Sequence, residues 1–258
     1  TQSFEDVANS FAGSYRVSTY LWDTITTKTV KEYDAGDTKD GYVVGTSHHA
    51  RTGLLVSYPK FTSRYGTSIS LKKGIWDSTT GTYDSTRLKI INVPVLKSHH
   101  NYDVSGAVKH YMGVVSEALT IRRGYSSHNT VDEGGMGTEM VETRFPVITI
   151  MDAIWVNAYI HGGPSTPYEE ATRVNTIAAS TDPVALDAWA ARSILIPEAQ
   201  KLGYSDVSSL DPDYRVSGSF GHWLELSMNE LRRGGYNATM DRSSMSIQLN
   251  SVGWTYER

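Results

Sequence analysis

"RLKIINVPVLKSHH", residues 87–100, decides the fold. Its first ten residues are apolar almost without a break, which predicts an internal strand of a parallel or mixed sheet covered on both faces. The run ends in Lys97, Ser98, His99 and His100, and a second basic pair, Lys109 and His110, follows about ten residues later. In between, Val104, Ala107, Val108, Tyr111, Val115, Ala118 and Leu119 recur at spacings of three and four. That spacing predicts a helix over 104–119 with one buried face and Asp103 as its N-cap.

The same grammar recurs toward the C-terminus. "PVITIMDAI" (146–154) predicts a strand with Asp152 at its carboxyl end, and "RVNTIAAS" (173–180) predicts another. "TDPVALDAWAARSIL" (181–195) opens a helix, with Asp182 as cap and Pro183 at the first helical position, where its missing N–H costs nothing. A last amphipathic helix spans 220–235 and is closed by two glycines. The segment 124–142 reads as a long polar loop and "HGGPSTP" (161–167) as a turn. Strands alternating with helices predict an α/β protein with a layered mixed or parallel sheet and helices on both faces.

The N-terminal third has a different texture. Residues 3–12 predict a short helix, and "YRVSTYLWD" (15–23) alternates like a half-buried strand. From 24 to 86 the chain is rich in Thr, Tyr, Gly and Asp, which predicts a β-rich, insertion-like region of strands and hairpins. No repeat or low-complexity linker marks a boundary, so 1–258 is expected to form one α/β domain with its core over 87–235.

Composition narrows the chemistry. A net charge of −4 gives no basic field for nucleic acid, and no apolar run approaches the roughly 18 residues of a membrane span. The absence of cysteine excludes disulfides, thiolate metal ligands and an iron–sulfur cluster held by this chain. The Ser-, Thr-, Tyr- and Gly-rich surface stretches give the chain an exported look.

Ligands of open α/β sheets bind at the carboxyl ends of the strands, where Lys97, His99, His100 and Asp152 are expected. A lysine there serves as base or nucleophile when desolvated, and otherwise holds carboxylate or phosphate. Neutral imidazoles carry protons or ligate Zn, Ni or Fe. Taken singly, each histidine also fits a hydrogen-bonded loop position; the clustering at strand ends is what favours a site. Gly106 and Gly113 share one helical stripe with His110, so another group is expected to approach that backbone closely. The tandem pair His48 and His49 would send at most one ring into a shared site. Asp187 stands five residues after Asp182, on another face of its helix.

"INVPVLKSHHNYDVSGAVKHYMG" followed by "TIMDAI", "GGP" and "AASTDPVALDAWAA" resembles the bacterial and archaeal family called domain of unknown function 362, over roughly residues 88–196. The usual Lys-Asn of that family's helix is Lys109-His110 here. The resemblance implies a βαβ-like segment upstream of residue 1, so that segment or a second copy of the chain is an expected partner. A fainter similarity links His99, Ser105-Gly106, Lys109, Gly113 and His128 to nickel-dependent lactate racemase. It implies Lys109 as a cofactor anchor, with His99 and His128 at a metal or substrate. The combined expectation is a metal-assisted enzyme acting on a small anionic, hydroxy-acid-like substrate. Lys97, Lys109 and Asp152 would be its catalytic residues, and His99, His100 and His128 its ligands for Ni, Zn or Fe. The alternative is a non-catalytic exported binding or assembly protein that uses exposed strand edges. A third idea makes Thr1 an N-terminal nucleophile.

Overall fold

The computed structural model describes residues 3–162 and 170–250. Thr1 and positions 163–167 of the expected turn lie outside those residues. The mixed α/β content expected from the sequence is present, as two five-stranded sheets and, among the described residues, six α-helices.

The N-terminal helix α1 (Phe4–Phe11) forms where expected, because the Ser3 hydroxyl accepts the Asp6 N–H while the Asp6 carboxylate accepts the Ser3 N–H. Residues 15–23 form no strand; only a 3-10 turn at Trp22–Thr24 is regular. Alternation is a pattern that needs a partner, and no neighbouring strand offers this segment a ladder.

The β-rich region folds as expected into an antiparallel meander. Strands β1 (Gly41–Val44), β2 (Ser57–Thr62), β3 (Ser68–Ser70), β4 (Gly74–Asp77) and β5 (Thr82–Asp84) are neighbours in chain order. Buried Glu32 ties them together by accepting hydroxyl bonds from Tyr58, Ser70 and Tyr83. Buried Lys60 donates to the Asp37 carbonyl at 2.6 Å and lies 3.9 Å from the Tyr33 ring centroid.

The second sheet is mixed. Its strands are β6 (Ile91–Asn92), β7 (Val95–His99), β8 (Asp103–Ser105), β9 (Ile148–Asn157) and β10 (Thr172–Ser180). The order is β10-β9-β7-β8; β6 and β7 run parallel to β9, while β8 and β10 are antiparallel additions. The apolar run 87–96 is therefore two strands separated at Pro94. Its inner side chains Asn92 and Leu96 are buried, but Ile91, Val93 and Val95 are more than half exposed. Among the described residues the outer face of this sheet is thus not covered as the continuous run predicts.

The segment after β7 departs most from expectation. Instead of one helix over 104–119, residues 103–105 pair with β7, residues 109–113 form a 3-10 turn, and α2 spans Glu117–Ile121. The hairpin captures the backbone that the helix would use, and the Ser116 hydroxyl caps α2 by accepting the Leu119 N–H.

The polar loop expected over 124–142 is largely helical. A 3-10 turn spans Ser127–Glu133, and α3 (Gly135–Glu142) is buried along most of its length. Its glycines let it lie against α6 (Phe220–Arg233): a Cβ built on Gly134 would meet the Leu226 backbone, and one on Gly137 the Ser227 backbone. Helix α4 (Pro183–Ala190) starts as expected, with Asp182 Oδ1 accepting the Val184 and Ala185 N–H groups, and continues through a π-turn into α5 (Ile196–Lys201). The Ser219 hydroxyl caps α6.

One apolar cluster joins Leu54, Tyr58 and Leu71 of the first sheet region to Leu96, Met151, Val184 and Trp223. Among the described residues no helix is long and apolar enough to cross a membrane.

Candidate functional site

Strand β7 puts Lys97 and His99 on one side and Leu96 and Ser98 on the other, with Ser98 Oγ fastened to the Tyr159 carbonyl. The β7–β8 register sets Lys97 opposite Ser105 and His99 opposite Asp103. At the hairpin tip the His99 Nδ1 accepts the N–H groups of Asn101 (3.1 Å) and Tyr102 (3.3 Å). Those two donors assign the ring proton to Nε2. The His99 ring stacks on His100 at 4.8 Å and lies 5.4 Å from the Tyr102 ring.

Lys109 enters from the 109–113 turn. Its Nζ lies 5.1 Å from the Tyr102 ring centroid, and the side chain is only 7 % exposed. Among the described residues it has neither a hydrogen bond nor an ion pair. Burial, with Lys97 nearby, pulls the amine down to about 8. Burial followed by the charges of Lys109, His100, Lys97 and His128 lowers His99 to about 4, so its imidazole is neutral at ordinary pH. His128 closes the group, with its ring 6.3 Å from Tyr102 and its Nδ1 3.5 Å from Glu117 Oε1.

The turn that carries Lys109 is held from a distance. The Asp187 carboxylate on α4 accepts the Ala107 N–H at 2.5 Å and the Val108 N–H at 2.9 Å. The same carboxylate is the close approach expected at Gly106, where a Cβ would collide with it; Gly113 meets nothing.

Five of the six sequence-predicted residues therefore converge: Lys97, His99, His100, Lys109 and His128. Asp152 does not sit at a strand end but in the middle of β9, opposite Val95 and Ile177, and accepts the Ile154 N–H. His110 is held by Asn92 at 2.5 Å, and His49 joins Thr52, Arg51 and Glu230 in a separate cluster. A cavity of about 730 Å³ between β10, α4 and residues 244–250 also lies apart, and among the described residues Asp182 is its only acidic or basic lining residue.

Three carboxylates escaped the sequence reading. Asp187 and its backbone bonds are one. Asp103 is another: its backbone is left-handed at φ +60°, its Oδ2 accepts the Phe220 N–H at 3.1 Å, and its Oδ1 is 4.0 Å from His161. Asp132, in the 127–133 turn, has a buried Oδ1 without a hydrogen-bond partner among the described residues. Only the left-handed backbone of Asp103 had a sequence-level hint, since Asp tolerates that conformation better than most residues.

Residues 86–192 match the model of the family described as domain of unknown function (DUF362). The matched segment spans β6 to α4 and so includes the five converging residues together with Asp103, Asp132 and Asp187; the first sheet and α6 lie outside it. No curated protein and no solved structure matches the chain.

Among the described residues no group of three or more His, Cys, Asp or Glu side chains is placed to hold a metal ion. His99 in its assigned tautomer presents an N–H at Nε2, not a lone pair, so it is poorly suited to ligate Ni, Zn or Fe.

Proposed function

We propose that the Lys109 cluster binds a small carboxylate of the hydroxy-acid kind and that the protein is an enzyme moving a proton on it. The observation supporting this reading is the Lys109 amine, buried beside a second lysine with no acceptor among the described residues. A buried cation in that position is stabilised by any anion that reaches it. Lys97 adds a second positive charge, and His99 adds a neutral Nε2–H donor.

In the ligand-free protein an amine lowered to about 8 is present in both protonation states near neutral pH, the state from which a general acid–base starts. In this reading the imidazoles donate hydrogen bonds and the metal expected on His99, His100 and His128 plays no part.

The test is solvent exchange. Wild-type protein is incubated in D2O with a panel of 2-hydroxy and 2-keto acids, and loss of the α- or β-proton signal is followed by NMR. Exchange that disappears in Lys109→Gln while the melting curve stays in place supports the reading. No exchange with any acid, and no heat of binding in calorimetry, overturns it.

A second reading, a non-catalytic assembly protein, is favoured by one observation. Ile91, Val93, Val95 and Ile177 expose an apolar patch on the outer face of the second sheet. Light scattering on size-separated protein tests it: large ordered assemblies support association between copies, and a monomer at all concentrations contradicts it.

A further inference from the structure

We propose that the ligand of this site carries a protonated amine as well as an anionic group, so that its class is the amino acids and their longer homologues. This deepens the preceding reading and rests on it. The site has two poles that do not neutralise each other. The cationic pole is Lys97 and Lys109; burial and Lys97 account for the lowered Lys109 amine, and among the described residues Lys109 has no ion pair with a carboxylate.

The acidic pole is Asp103 and Asp132. Asp103 is the cross-strand partner of His99, so the two poles share the β7–β8 hairpin. Its backbone is left-handed at φ +60°, a conformation that Asp adopts more readily than most residues with a Cβ. One Asp103 oxygen serves α6: the Ser219 hydroxyl accepts only the His222 N–H, and Asp103 Oδ2 satisfies that of Phe220, the first residue of the helix. The other Asp103 oxygen, Oδ1, has no hydrogen bond among the described residues and lies 4.0 Å from the largely exposed His161.

Asp132 contributes a second carboxylate whose Oδ1 is buried and unpaired among the described residues. Burial and the neighbouring Asp132 both push the Asp103 carboxyl up, against the Phe220 N–H and His161. Burial and Glu133 raise Asp132 in turn, with His222 opposing.

Tyr102 is near one member of each pole, Lys109 and Asp132. Its ring touches the Lys109 amine and His99, and its phenol is raised by burial and by the charge of Asp132. Two unpaired groups thus lie near one aromatic ring: the amine of Lys109, a residue 7 % exposed, is 5.1 Å from its centroid, and the carboxylate with the buried Asp132 oxygen acts on its phenol. A plain carboxylate relieves only the first. A ligand with a carboxylate at one end and an ammonium at the other relieves both, and the aromatic face suits the methylenes that separate them.

Calorimetry with length-matched pairs tests this: acetate against glycine, and pentanoate against 5-aminopentanoate. The amino form of at least one pair is expected to bind about tenfold more tightly than the plain acid, because a charge-assisted hydrogen bond is added. Asp103→Asn is expected to bring the amino form down to the plain acid, and Asp132→Asn does the same if Asp103→Asn fails to fold. Plain acids that bind as well as their amino partners overturn this inference and leave the anion site standing. If no acid of either kind binds, the anion site itself is wrong.

Discussion

Asp187 and Lys109 are coupled through a single turn of backbone: the Asp187 carboxylate accepts the N–H groups of Ala107 and Val108, and Lys109 is the next residue. Helix α4 thus fixes the turn that delivers the amine, from about eighty positions further along the chain.

Asp187→Asn keeps the volume but points an amide N–H at a backbone N–H, so one buried donor loses its acceptor. A loss of about 1–3 kcal/mol in urea unfolding is expected. Asp152→Asn, at a carboxylate outside the cluster, is expected to leave both stability and Lys109 reactivity close to wild type.

The Lys109 amine is lowered first by burial and then by Lys97. Lys97→Gln removes only the second cause, so the amine should titrate above 8 yet below its ordinary 10.5. The pH profile of Lys109 acylation, read by mass spectrometry of its peptide, checks this. An unmoved profile would mean that the two lysines do not sense each other.

His99 has the opposite interest, as a base kept neutral. Its folded value of about 4 lies below the ordinary 6.5, so the native state binds this proton less readily than the unfolded chain. Stability is therefore lost as pH falls from 6.5 toward 4, by no more than about 3 kcal/mol for this one group. His99→Gln should flatten that part of the curve of urea midpoint against pH. Parallel curves would contradict the assigned environment.

Two glycines separate close packing from open space. Gly137→Ala would put a Cβ 2.8 Å from Ser227 Cα, which forces α3 and α6 apart. About 1–3 kcal/mol of destabilisation is expected. Gly113→Ala meets nothing within 4 Å and should be neutral or stabilising by up to about 1 kcal/mol. Thermal melts of the two variants should shift unequally, with only Gly137→Ala falling markedly.

Much of this site was legible in the sequence because it follows from one rule. Lys97, His99 and His100 end an apolar strand, and Lys109 and His128 follow within reach of a return to that edge. What escaped depends on distant partners. Asp103 reads as an N-cap because only the β7–β8 pairing turns it into a kinked strand residue. Asp187 is eighty positions from the N–H groups it binds. The apolar run 87–96 looks the same whether its second face is covered or bare, and Ile91 and Val93 are exposed. Helix α3 reads as a loop because Gly134 and Gly137 are breakers in isolation, while in the fold they are the contact with α6.

The central claim is that Lys109 is a buried cation awaiting an anion. The most direct measurement is an NMR titration of its ε-methylene carbon, assigned by Lys109→Gln, with and without saturating carboxylate. A midpoint near pH 8 that rises when the carboxylate is added is the predicted result. A midpoint near 10.5 that the carboxylate leaves unchanged would contradict the account.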